Sequence, residues 1–578
     1  MAINTNKPLL NMCLKKIVIG LFFLNIGALL ATDSTSYYLL YLKDKPNAEN
    51  LIKTPEQYLS ANTLARRQKY SITITEYDVP VNEDYINLIN QLTDIQIHNK
   101  SKWLNAVAIK SSKVIGLKEL KALSFVSQVI FLGRIQNREQ AKPEEVVVDK
   151  KWIRLPNIDD MINGPHLYSK SLEQNNLINV LPLHQSLKYG SSLYIGVFDA
   201  GFHNAYKVNG MEDLLDKSIT KDFVTHDNSV WEDDKHGANC LSFMKTFAPN
   251  TYIGTAPFAN YLLCRTEEAA SEYPTEEFNW IAAAEYADSI GVDMIVSSLG
   301  YNVFDDASLS HTHKDLDGKT SIIAQAANFA FSRGIVVVTS AGNEGDGKWH
   351  KIGTPADAQG VICVGATDSE GFRVAFSSYG YSADKRVKPD FVSMGYKAIV
   401  ASPEGFYGGN GTSYATPILA GGIACLMQAY PMATPTQIKD ALILSASHSQ
   451  VPDTAYGYGL PDLTLAAHIL GNVLISDTTK DLMYEPPTNN YWQQQTIHFK
   501  SAQQQTISVK ITGILKRNDK LKVQFDDKID LLVGEWWHNY SLHQIIAKQG
   551  KATKRKKLRT ISVEIVTPNA TYRRSLNL

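Results

Sequence analysis

The feature that most constrains the fold is a set of four short, nearly continuous apolar segments in the middle of the chain. Their sequences are LYIGVFDA, VDMIVSSLG, GIVVVTSAGN and VICVGAT. Runs of this length without polar alternation suit strands that are buried on both faces of a parallel sheet. Helical stretches such as FNWIAAAEYADSI and TSIIAQAANFAFSRG lie between them. The alternation predicts an α/β domain over residues 168–470.

The length of the chain predicts further folded parts on either side of this domain. A chain of 578 residues exceeds what a single core supports. Strand-like and helix-like segments over residues 32–135 predict a compact α+β domain, in which SITITEYDVP is expected to be a strand. Residues 136–167 are charged and aperiodic, which predicts an exposed linker that proteases can cut. Over residues 471–578 apolar and polar residues alternate, which predicts a small antiparallel β domain.

The N-terminus has the pattern of a secretory signal. Two lysines precede an apolar run from Ile17 to Leu30, and Ala31 leads into polar sequence. The run is too short for a comfortable membrane span, and we find no second apolar stretch of spanning length. We therefore predict a signal peptide over residues 1–31, export from the cytoplasm, and a mature protein without a transmembrane segment.

Charge and cysteine content narrow the classes of partner. A net charge of −1 gives no support for binding to nucleic acid, and the basic run over residues 551–559 is expected to be a solvated hairpin turn. The four cysteines after the signal lack the paired spacing of a zinc site. We favour four buried thiols, although export would also permit a disulfide. They are Cys240, Cys264, Cys363 and Cys425.

Ser413 is the strongest candidate nucleophile. It lies in GGNGTSYATP, directly before a long apolar helix. The glycines permit a sharp turn and a close approach of substrate, and free N–H groups at a helix start can bind a developing oxyanion. Pro417 is expected in the first helical turn, which tolerates proline. The alternative is an N-cap serine without chemistry, and we discount the glycosylation sequon at Asn410 because a glycan would block the site.

Three more polar residues lie where predicted elements begin or end. His236 in DDKHGANCLSFM precedes an apolar helical stretch, Asp199 ends the strand YIGVFDA, and Asn343 ends VVVTSAGN. Taken singly, they could be a structural histidine, a helix cap and a turn residue. Asp233 and Asp234 are rival partners for His236, but a buried carboxylate from another strand would orient an imidazole better. Active groups of open parallel sheets gather where strands end, which favours a joint role.

The order Asp, His, Asn, Ser along the chain decides between these alternatives. Subtilisins have the triad order Asp, His, Ser, unlike chymotrypsin and the α/β-hydrolases. The motifs DAGF, HGAN, SAGNEG and GTSYATP, with GTAPFANYLLCR, SSLG and GYGLPD, resemble the subtilisin-like (subtilase) family over about residues 168–470. An α/β-hydrolase esterase is disfavoured by this order and by the lack of a GxSxG elbow. A catalytically silent, subtilisin-shaped binding protein is kept as the alternative function.

The resemblance extends to the N-terminal part of the chain. DKPNAENLIKTPEQYLSANTLARRQ and WLNAVAI look like the propeptide of a secreted Bacteroidetes-type subgroup, in which forms of SSLGYN and WHKIGTPADA also occur. The resemblance implies that the peptidase domain has a parallel seven-stranded sheet with helices on both faces. It also implies that the preceding propeptide is a ferredoxin-like inhibitor that is removed by self-cleavage. Two residues depart from the family pattern: Ala200 stands where the family usually has Ser or Thr, and Ala238 stands where it usually has Thr. We expect small effects, since neither position carries the proton transfer.

The resemblance also implies a role for each candidate residue in peptide hydrolysis. Ser413 attacks a peptide carbonyl, His236 takes and returns the proton, and Asp199 fixes the tautomer of the imidazole. The Asn343 amide and the Ser413 N–H bind the oxyanion. Tyr301 is expected to narrow a pocket beside the cleft. Five residues are expected to form the walls of the substrate cleft: Ser298, Leu299, Gly300, Ala341 and Gly342.

Protein or peptide substrates and the chain's own propeptide are therefore the expected partners. No cofactor is required by this chemistry, and no metal is expected in the catalytic site. The loop HTHKDLDGKT, residues 311–320, has a mildly calcium-like spacing of carboxylates, but a polar surface loop is favoured. Calcium is kept as an optional ligand because subtilisin-like enzymes often bind it, and no ligands are assigned.

Overall fold

The computed structural model of the chain describes residues 34–136, 167–227 and 229–471 in full. Beyond residue 471 it describes the backbone of six strands. The predicted signal peptide and nearly all of the predicted linker lie outside the described residues. Within the described ranges, no helix is both long and apolar enough to cross a membrane.

Residues 34–136, the first part, form a four-stranded antiparallel sheet in the order β2-β3-β1-β4. This order matches the ferredoxin-like arrangement that the resemblance implies. Alternate residues of β1 face opposite ways, so that Leu40 packs on the helices of the first part and Leu39 packs on the second part of the chain. The elements are β1 (Ser34–Leu42), α1 (Ala48–Leu51), α2 (Ala61–Lys69), α3 (Glu83–Asn90), β2 (Gln96–Ser101), β3 (Ala106–Ser111), α4 (Leu117–Lys121) and β4 (Val126–Gln136).

One local expectation for the first part is wrong, and one strand was missed, both for physical reasons. SITITEYDVP forms turns rather than a strand, because the Asp78 carboxylate accepts the Thr75 N–H at 2.9 Å and competes with sheet pairing. The strand β2 is not evident in the sequence because its residues, QIHNKS, are mostly polar. Several of them are nevertheless buried, since they contact polar groups of the second part, as His98 does with Asn279.

Residues 167–471, the second part, contain the predicted parallel sheet of seven strands, in the order β15-β12-β11-β10-β5-β9-β6. Every neighbouring pair in it is parallel. Three short antiparallel pairs, β7/β8, β13/β14 and β16/β17, complete the strands. The strands are β5 (Tyr194–Asp199), β6 (Ile219–Asp222), β7 (Phe247–Ala248), β8 (Tyr252–Ile253), β9 (Asn260–Arg265), β10 (Met294–Ser297), β11 (Val336–Ser340), β12 (Ile362–Thr367), β13 (Gly380–Tyr381), β14 (Val387–Lys388), β15 (Phe391–Met394), β16 (Ala398–Ser402) and β17 (Gly405–Gly409).

Helices cover both faces of this sheet, as predicted. Val296 of β10 belongs to one hydrophobic core with the helices around Leu241 and Ile418, whereas its neighbour Ile295 belongs to another with those around Ile281 and Ile323. The helices are α5 (Leu172–Leu177), α6 (Leu181–Gln185), α7 (Leu214–Lys217), α8 (His236–Lys245), α9 (Pro274–Ile290), α10 (Ile322–Ser332), α11 (Thr412–Ala429), α12 (Pro435–Ser445) and α13 (Leu463–Leu470).

Local sequence fixes the ends of α9, one of the helices that contact the first part. Pro274 occupies the first helical turn, and the Glu276 carboxylate accepts the Tyr273 N–H at 3.0 Å in a capping box. Gly291 follows the helix with φ 96°, a left-handed conformation that glycine adopts without strain. The chain then turns directly into β10.

Because the strands are parallel, their carboxyl ends share one edge of the sheet and their amino ends share the other. Asp199 ends β5, Ser298 follows β10, and Asn343 follows β11. These residues therefore lie along the carboxyl-end edge, where the candidate site is found.

The six strands beyond residue 471 pair only with one another in antiparallel fashion, in agreement with the alternating pattern. Four form a sheet in the order β20-β19-β22-β23, and β18 pairs with β21. The strands are β18 (Thr496–Lys500), β19 (Gln505–Leu515), β20 (Val523–Leu531), β21 (Trp536–Ser541), β22 (Leu558–Val566) and β23 (Thr571–Asn577).

Candidate active site

Asp199 and His236 form a hydrogen-bonded ion pair at the carboxyl-end edge. Asp199 is fully buried at the end of β5, and its Oδ1 lies 2.8 Å from Nδ1 of His236, the first residue of α8. The Ala200 N–H donates to the same oxygen at 2.8 Å. Burial alone would lower the pKa of His236, but the Asp199 carboxylate outweighs it and raises that pKa well above its usual value.

The rival carboxylates have other partners. The Asp234 side chain accepts the backbone N–H of His236 at 2.7 Å and so caps the start of α8. Asp233 pairs with Nη1 of Arg265 at 3.0 Å, and burial raises its pKa to about 7. Neither carboxylate is hydrogen-bonded to the imidazole ring, which leaves Asp199 as its partner.

Cys240 lies against the catalytic candidates, a contact that sequence reasoning missed. Its Sγ lies 3.9 Å from both ring nitrogens of His236, four residues earlier on α8. The thiol also donates to the Ser413 carbonyl oxygen at 3.4 Å. The spacing of four residues on one helix was the available signal. All four described cysteines are free and buried, which confirms the preferred prediction.

Ser413 is the second residue of α11 and is coupled to Ser298. Its hydroxyl donates to the Ser298 carbonyl oxygen at 3.2 Å, while the Ser298 hydroxyl donates to the Ser413 carbonyl oxygen at 2.8 Å. The placement of Pro417 in the first helical turn was wrong, because the helix begins at Thr412 and Pro417 lies in the second turn. Since proline has no N–H, the Ser413 carbonyl has no donor four residues later and is free for Ser298 and Cys240.

Asn343 is held in one orientation by Thr412, which the sequence did not single out. The Asn343 Oδ1 accepts both the backbone N–H and the hydroxyl of Thr412, at 2.9 and 3.0 Å. The Thr412 hydroxyl oxygen in turn accepts the Gly342 N–H at 3.2 Å. Because the amide oxygen is occupied in this way, the amide nitrogen of Asn343 remains as a donor beside the start of α11. The N–H of Ser413, in the first turn of this helix, lacks an intrahelical acceptor and is a second donor.

The predicted cleft walls continue two neighbouring strands past the sheet. Ser298, Leu299 and Gly300 follow β10, and Ala341 and Gly342 follow β11. The Ser340 hydroxyl donates to the Leu299 carbonyl oxygen at 3.2 Å and joins the two segments. A side chain at Gly300 would meet only the Thr354 carbonyl oxygen, at 3.8 Å, so the space beside it is open.

The structure does not place Tyr301 in the cleft wall. Its side chain is fully buried, and its hydroxyl donates to Glu267 Oε1 at 2.6 Å. Its backbone pairs with Thr354 in both directions, at 2.8 and 3.0 Å. A tyrosine is amphipathic and satisfies its hydroxyl inside the protein when such a partner is present.

The end of the first part approaches the same edge of the sheet. β4 ends at Gln136, which lines a cavity of about 1250 Å³ together with Asp234, Arg265 and Tyr273. Asp234 is two residues before His236. The end of β4 therefore lines the same cavity as the residues that precede His236 and that end β9.

The residues of the calcium-like loop have local partners. His311 pairs with Glu277 at 2.6 Å, and the Asp315 carboxylate accepts the Thr312 N–H at 2.7 Å. Asp317 accepts backbone N–H groups of the following turn. Among the described residues, the one cluster of three metal-ligating side chains consists of Asp199, His236 and Cys240, at the candidate site itself.

Comparison with known proteins gives matches to two family models. Residues 190–459 match the subtilase family of S8 peptidases, a range that contains Asp199, His236, Asn343 and Ser413. Residues 37–146 match the peptidase S8 propeptide domain of Bacteroidota.

Similar individual proteins are subtilisins. Subtilisin NAT of Bacillus subtilis subsp. natto is 28% identical over 307 residues, which cover 52% of this chain and 73% of that protein. Subtilisin Savinase of Lederbergia lenta is 37% identical over 142 residues, 24% of this chain and 49% of that protein. The solved structure of MycP1 from Mycobacterium smegmatis is 19% identical, with a TM-score of 0.40, and the match covers 51% of this chain and 84% of that one.

Proposed function

Since this chain belongs to the subtilase family of serine-type endopeptidases and carries a Bacteroidota-type S8 propeptide domain, we propose that Asp199, His236 and Ser413 are its catalytic triad. The observation that carries the proposal is the 2.8 Å pair of Asp199 and His236 at the sheet edge where α11 presents Ser413. Protein or peptide chains are the substrates, and no nucleic acid is a partner.

In the proposed reaction Ser413 Oγ attacks the peptide carbonyl carbon while His236 Nε2 accepts the hydroxyl proton. Asp199 keeps the proton of Nδ1 in place and stabilises the imidazolium. The negative charge on the carbonyl oxygen is held by the Asn343 amide and the Ser413 N–H. His236 then donates its proton to the leaving amine, and a water molecule releases the acyl group by the same steps.

The peptide would bind in extended form between two wall segments. Ser298, Leu299 and Gly300 offer backbone groups on one side, and Ala341 and Gly342 offer them on the other. Pairing with an extended peptide as an added strand uses only main-chain groups. This arrangement is supported by the open space beside Gly300.

We further propose that the chain is a secreted precursor that processes itself. The N-terminal pattern over residues 1–31 supports a signal peptide. The propeptide over residues 32–135 would act as inhibitor, and the linker over 136–167 would be cut. The peptidase domain is proposed to span 168–470, and the C-terminal β domain 471–578. Calcium is kept as an optional ligand without assigned residues.

The test is Ser413→Ala together with a fluorophosphonate probe, which reacts with activated serines. We expect the wild-type protein to be labelled and to lose its propeptide, since the hydroxyl is the nucleophile in both reactions. The Ser413→Ala variant should stay unlabelled and remain a full-length precursor on gels and by mass spectrometry. Labelling or normal processing of this variant would contradict the assignment. An unlabelled, unprocessed wild type would favour the catalytically silent binding protein instead.

A further inference from the structure

The propeptide domain contacts the peptidase domain through a segment that is not part of its own core. This segment, residues 43–80, which we call the arm, connects β1 to the region of α3 and includes α1 and α2. The core between the sheet of the propeptide domain and α3 and α4 takes its described members from outside the arm. The arm instead extends along the peptidase domain, where the Tyr77 ring packs 5.0 Å from that of Phe329 and the Tyr70 hydroxyl donates to the Ala433 carbonyl oxygen.

The α2 helix of the arm donates to backbone carbonyls at the ends of two peptidase helices, α9 and α10. The last carbonyl groups of a helix have no intrahelical donors, and cationic side chains are favoured there. Thr63 Oγ1 donates to the Asp288 carbonyl at 2.6 Å. Arg66 Nε and Arg67 Nη1 both donate to the Arg333 carbonyl, at 3.1 and 2.7 Å.

The same two arginines neutralise a buried carboxylate of the peptidase domain. Asp288, in the last turn of α9, has no exposed surface. Its oxygens lie 2.7 Å from Arg66, 2.8 Å from Arg67 and 3.3 Å from Lys102. Burial would raise the pKa of Asp288, but Lys102 and the arginines outweigh it and lower that pKa.

All the cations on Asp288 come from the propeptide domain. Within the described residues, no ion pair joins Asp288 to a lysine or arginine of residues 167–471. The reverse pairing is also present, because Asp78 of the arm accepts from Arg333 Nε of the peptidase domain at 3.1 Å. We call the set of Thr63, Arg66, Arg67 and Asp288 the clasp.

The charge of Asp288 needs compensation where the propeptide domain covers the end of α9. A negative charge in the last turn of a helix opposes the helix dipole, and a buried carboxylate needs a cation close by. The Asp288 carboxylate, once covered by the propeptide domain, is therefore an anionic site that a cationic group on the covering surface satisfies. The group that fits it is a helix with two adjacent arginines, as in the arm.

The clasp and the catalytic residues lie at opposite edges of the sheet. Asp288 precedes β10 and Arg333 precedes β11, whereas Ser298 and Asn343 follow these strands. A strand of four or five residues spans roughly 13–17 Å. A substrate in the cleft therefore does not displace the clasp directly.

We propose that the clasp holds the cleaved propeptide on the peptidase and so sets how long inhibition lasts after self-cleavage. The inference rests on the proposed function, since it requires that the chain between the two domains is cut. Cleavage frees the end of β4 at the catalytic edge but leaves the arm bound at the other edge. Activity then begins only when the clasp opens.

The experiment compares full-length wild type with Arg67→Gln, and with Lys53→Gln as matched control. Lys53 is an exposed cation in the same arm, so its replacement removes an equal charge without touching the clasp. Cleavage is followed on gels, retention of the propeptide by gel filtration, and onset of activity with a fluorogenic peptide. Loss of one partner of a buried ion pair raises the dissociation rate by about 100-fold. We expect that increase for Arg67→Gln, with earlier onset of activity, and wild-type behaviour for Lys53→Gln.

A cleaved Arg67→Gln protein that retains its propeptide as long as wild type would overturn the proposal. If Arg67→Gln does not fold, Thr63→Val decides, because it keeps the shape and the charges and removes one donor to the Asp288 carbonyl. About tenfold faster release is expected for it from the loss of one buried hydrogen bond, and an unchanged rate overturns the inference. If wild type itself is never cleaved, the proposed function has failed rather than the clasp.

Discussion

At the scale of single residues, the orientation of Asn343 is the most consequential detail of the candidate site. A side-chain amide can turn either its oxygen or its nitrogen toward a substrate, and only the nitrogen donates a hydrogen bond. Thr412 donates two hydrogen bonds to the Asn343 amide oxygen, so the amide nitrogen is the atom left to donate to a substrate. In the proposed mechanism this donor acts on the charge that develops in the transition state without having to reorganise.

Asn343→Ala is therefore expected to lower kcat by about 10²–10³-fold, as for a comparable oxyanion donor in a subtilisin, with little effect on KM. Thr412→Val is a second variant, which keeps Asn343 but removes one of the two donors to its oxygen. We expect a smaller loss for it. Steady-state kinetics on a peptide substrate, with circular dichroism to check the fold, measures both. Turnover near that of wild type in Asn343→Ala would refute the role of this residue.

At the scale of elements, α11 is packed more closely than its apolar sequence suggests. A side chain at Gly421 would meet Thr255 Cβ at 2.8 Å and the backbone nitrogen of Ala256 at 3.1 Å. Glycine inside a helix is costly by intrinsic propensity. Here the close approach of the segment around Thr255 requires it, so that packing overrides propensity.

Gly421→Ala should consequently destabilise the protein by about 1–3 kcal/mol, although alanine is the better helix former. The neighbouring Gly422→Ala is a matched control, because its new methyl group would meet mainly the movable end of the Leu463 side chain. A smaller loss is expected there. Denaturant unfolding in a Ser413→Ala background, which prevents self-digestion, measures the difference. Equal or greater stability of Gly421→Ala would show that the contact is not tight.

Elements and site residues differed in how far they could be predicted from the sequence. The central strands were predictable because they are buried on both faces, which leaves apolar runs. The four candidate catalytic residues were proposed from their order and motifs, and the structure brings Asp199 and His236 into contact. The pairing of Arg67 with Asp288 was not, since its partners are far apart in the chain and exposed arginines look the same in sequence. Cys240 and Thr412 were missed because their roles depend on the partner they meet in three dimensions.

At the scale of the whole molecule, the interface between propeptide and peptidase buries ionisable groups as well as apolar ones. His98 of β2 lies 2.8 Å from the Asn279 Oδ1 and 5.2 Å, ring to ring, from His226 of the peptidase domain. Burial, reinforced by His226 and Lys110, lowers the pKa of His98 to about 3. In the separated propeptide that pKa should return to about 6.5.

Between about pH 6.5 and pH 3, His98 is therefore protonated in the separated propeptide and neutral in the complex. The contribution of neutral His98 to binding is complete above pH 6.5 and is lost as the pH falls below it. We expect the acceleration of propeptide release between pH 7.5 and pH 5 to be smaller in His98→Asn than in wild type. Glu285 of the peptidase domain has the opposite effect: burial raises its pKa to about 7, so its contribution to binding increases as the pH falls.

The measurement is therefore the ratio of the release rates at pH 5 and pH 7.5, compared between His98→Asn and wild type. An unchanged ratio would exclude His98 as a contributor.

With the proposed roles of its two edges, the parallel sheet separates the specificity and rate of cleavage from the time at which cleavage starts, so that selection can adjust them independently. Substitutions along the carboxyl ends of β10 and β11 alter which bonds are cut and how fast. Substitutions where α9 and α10 end, at the opposite edge, alter when cutting starts. A lineage can thus change the delay between self-cleavage and activity while its chemistry stays constant, and hybrid precursors with exchanged arms would be a direct way to set that delay in the laboratory.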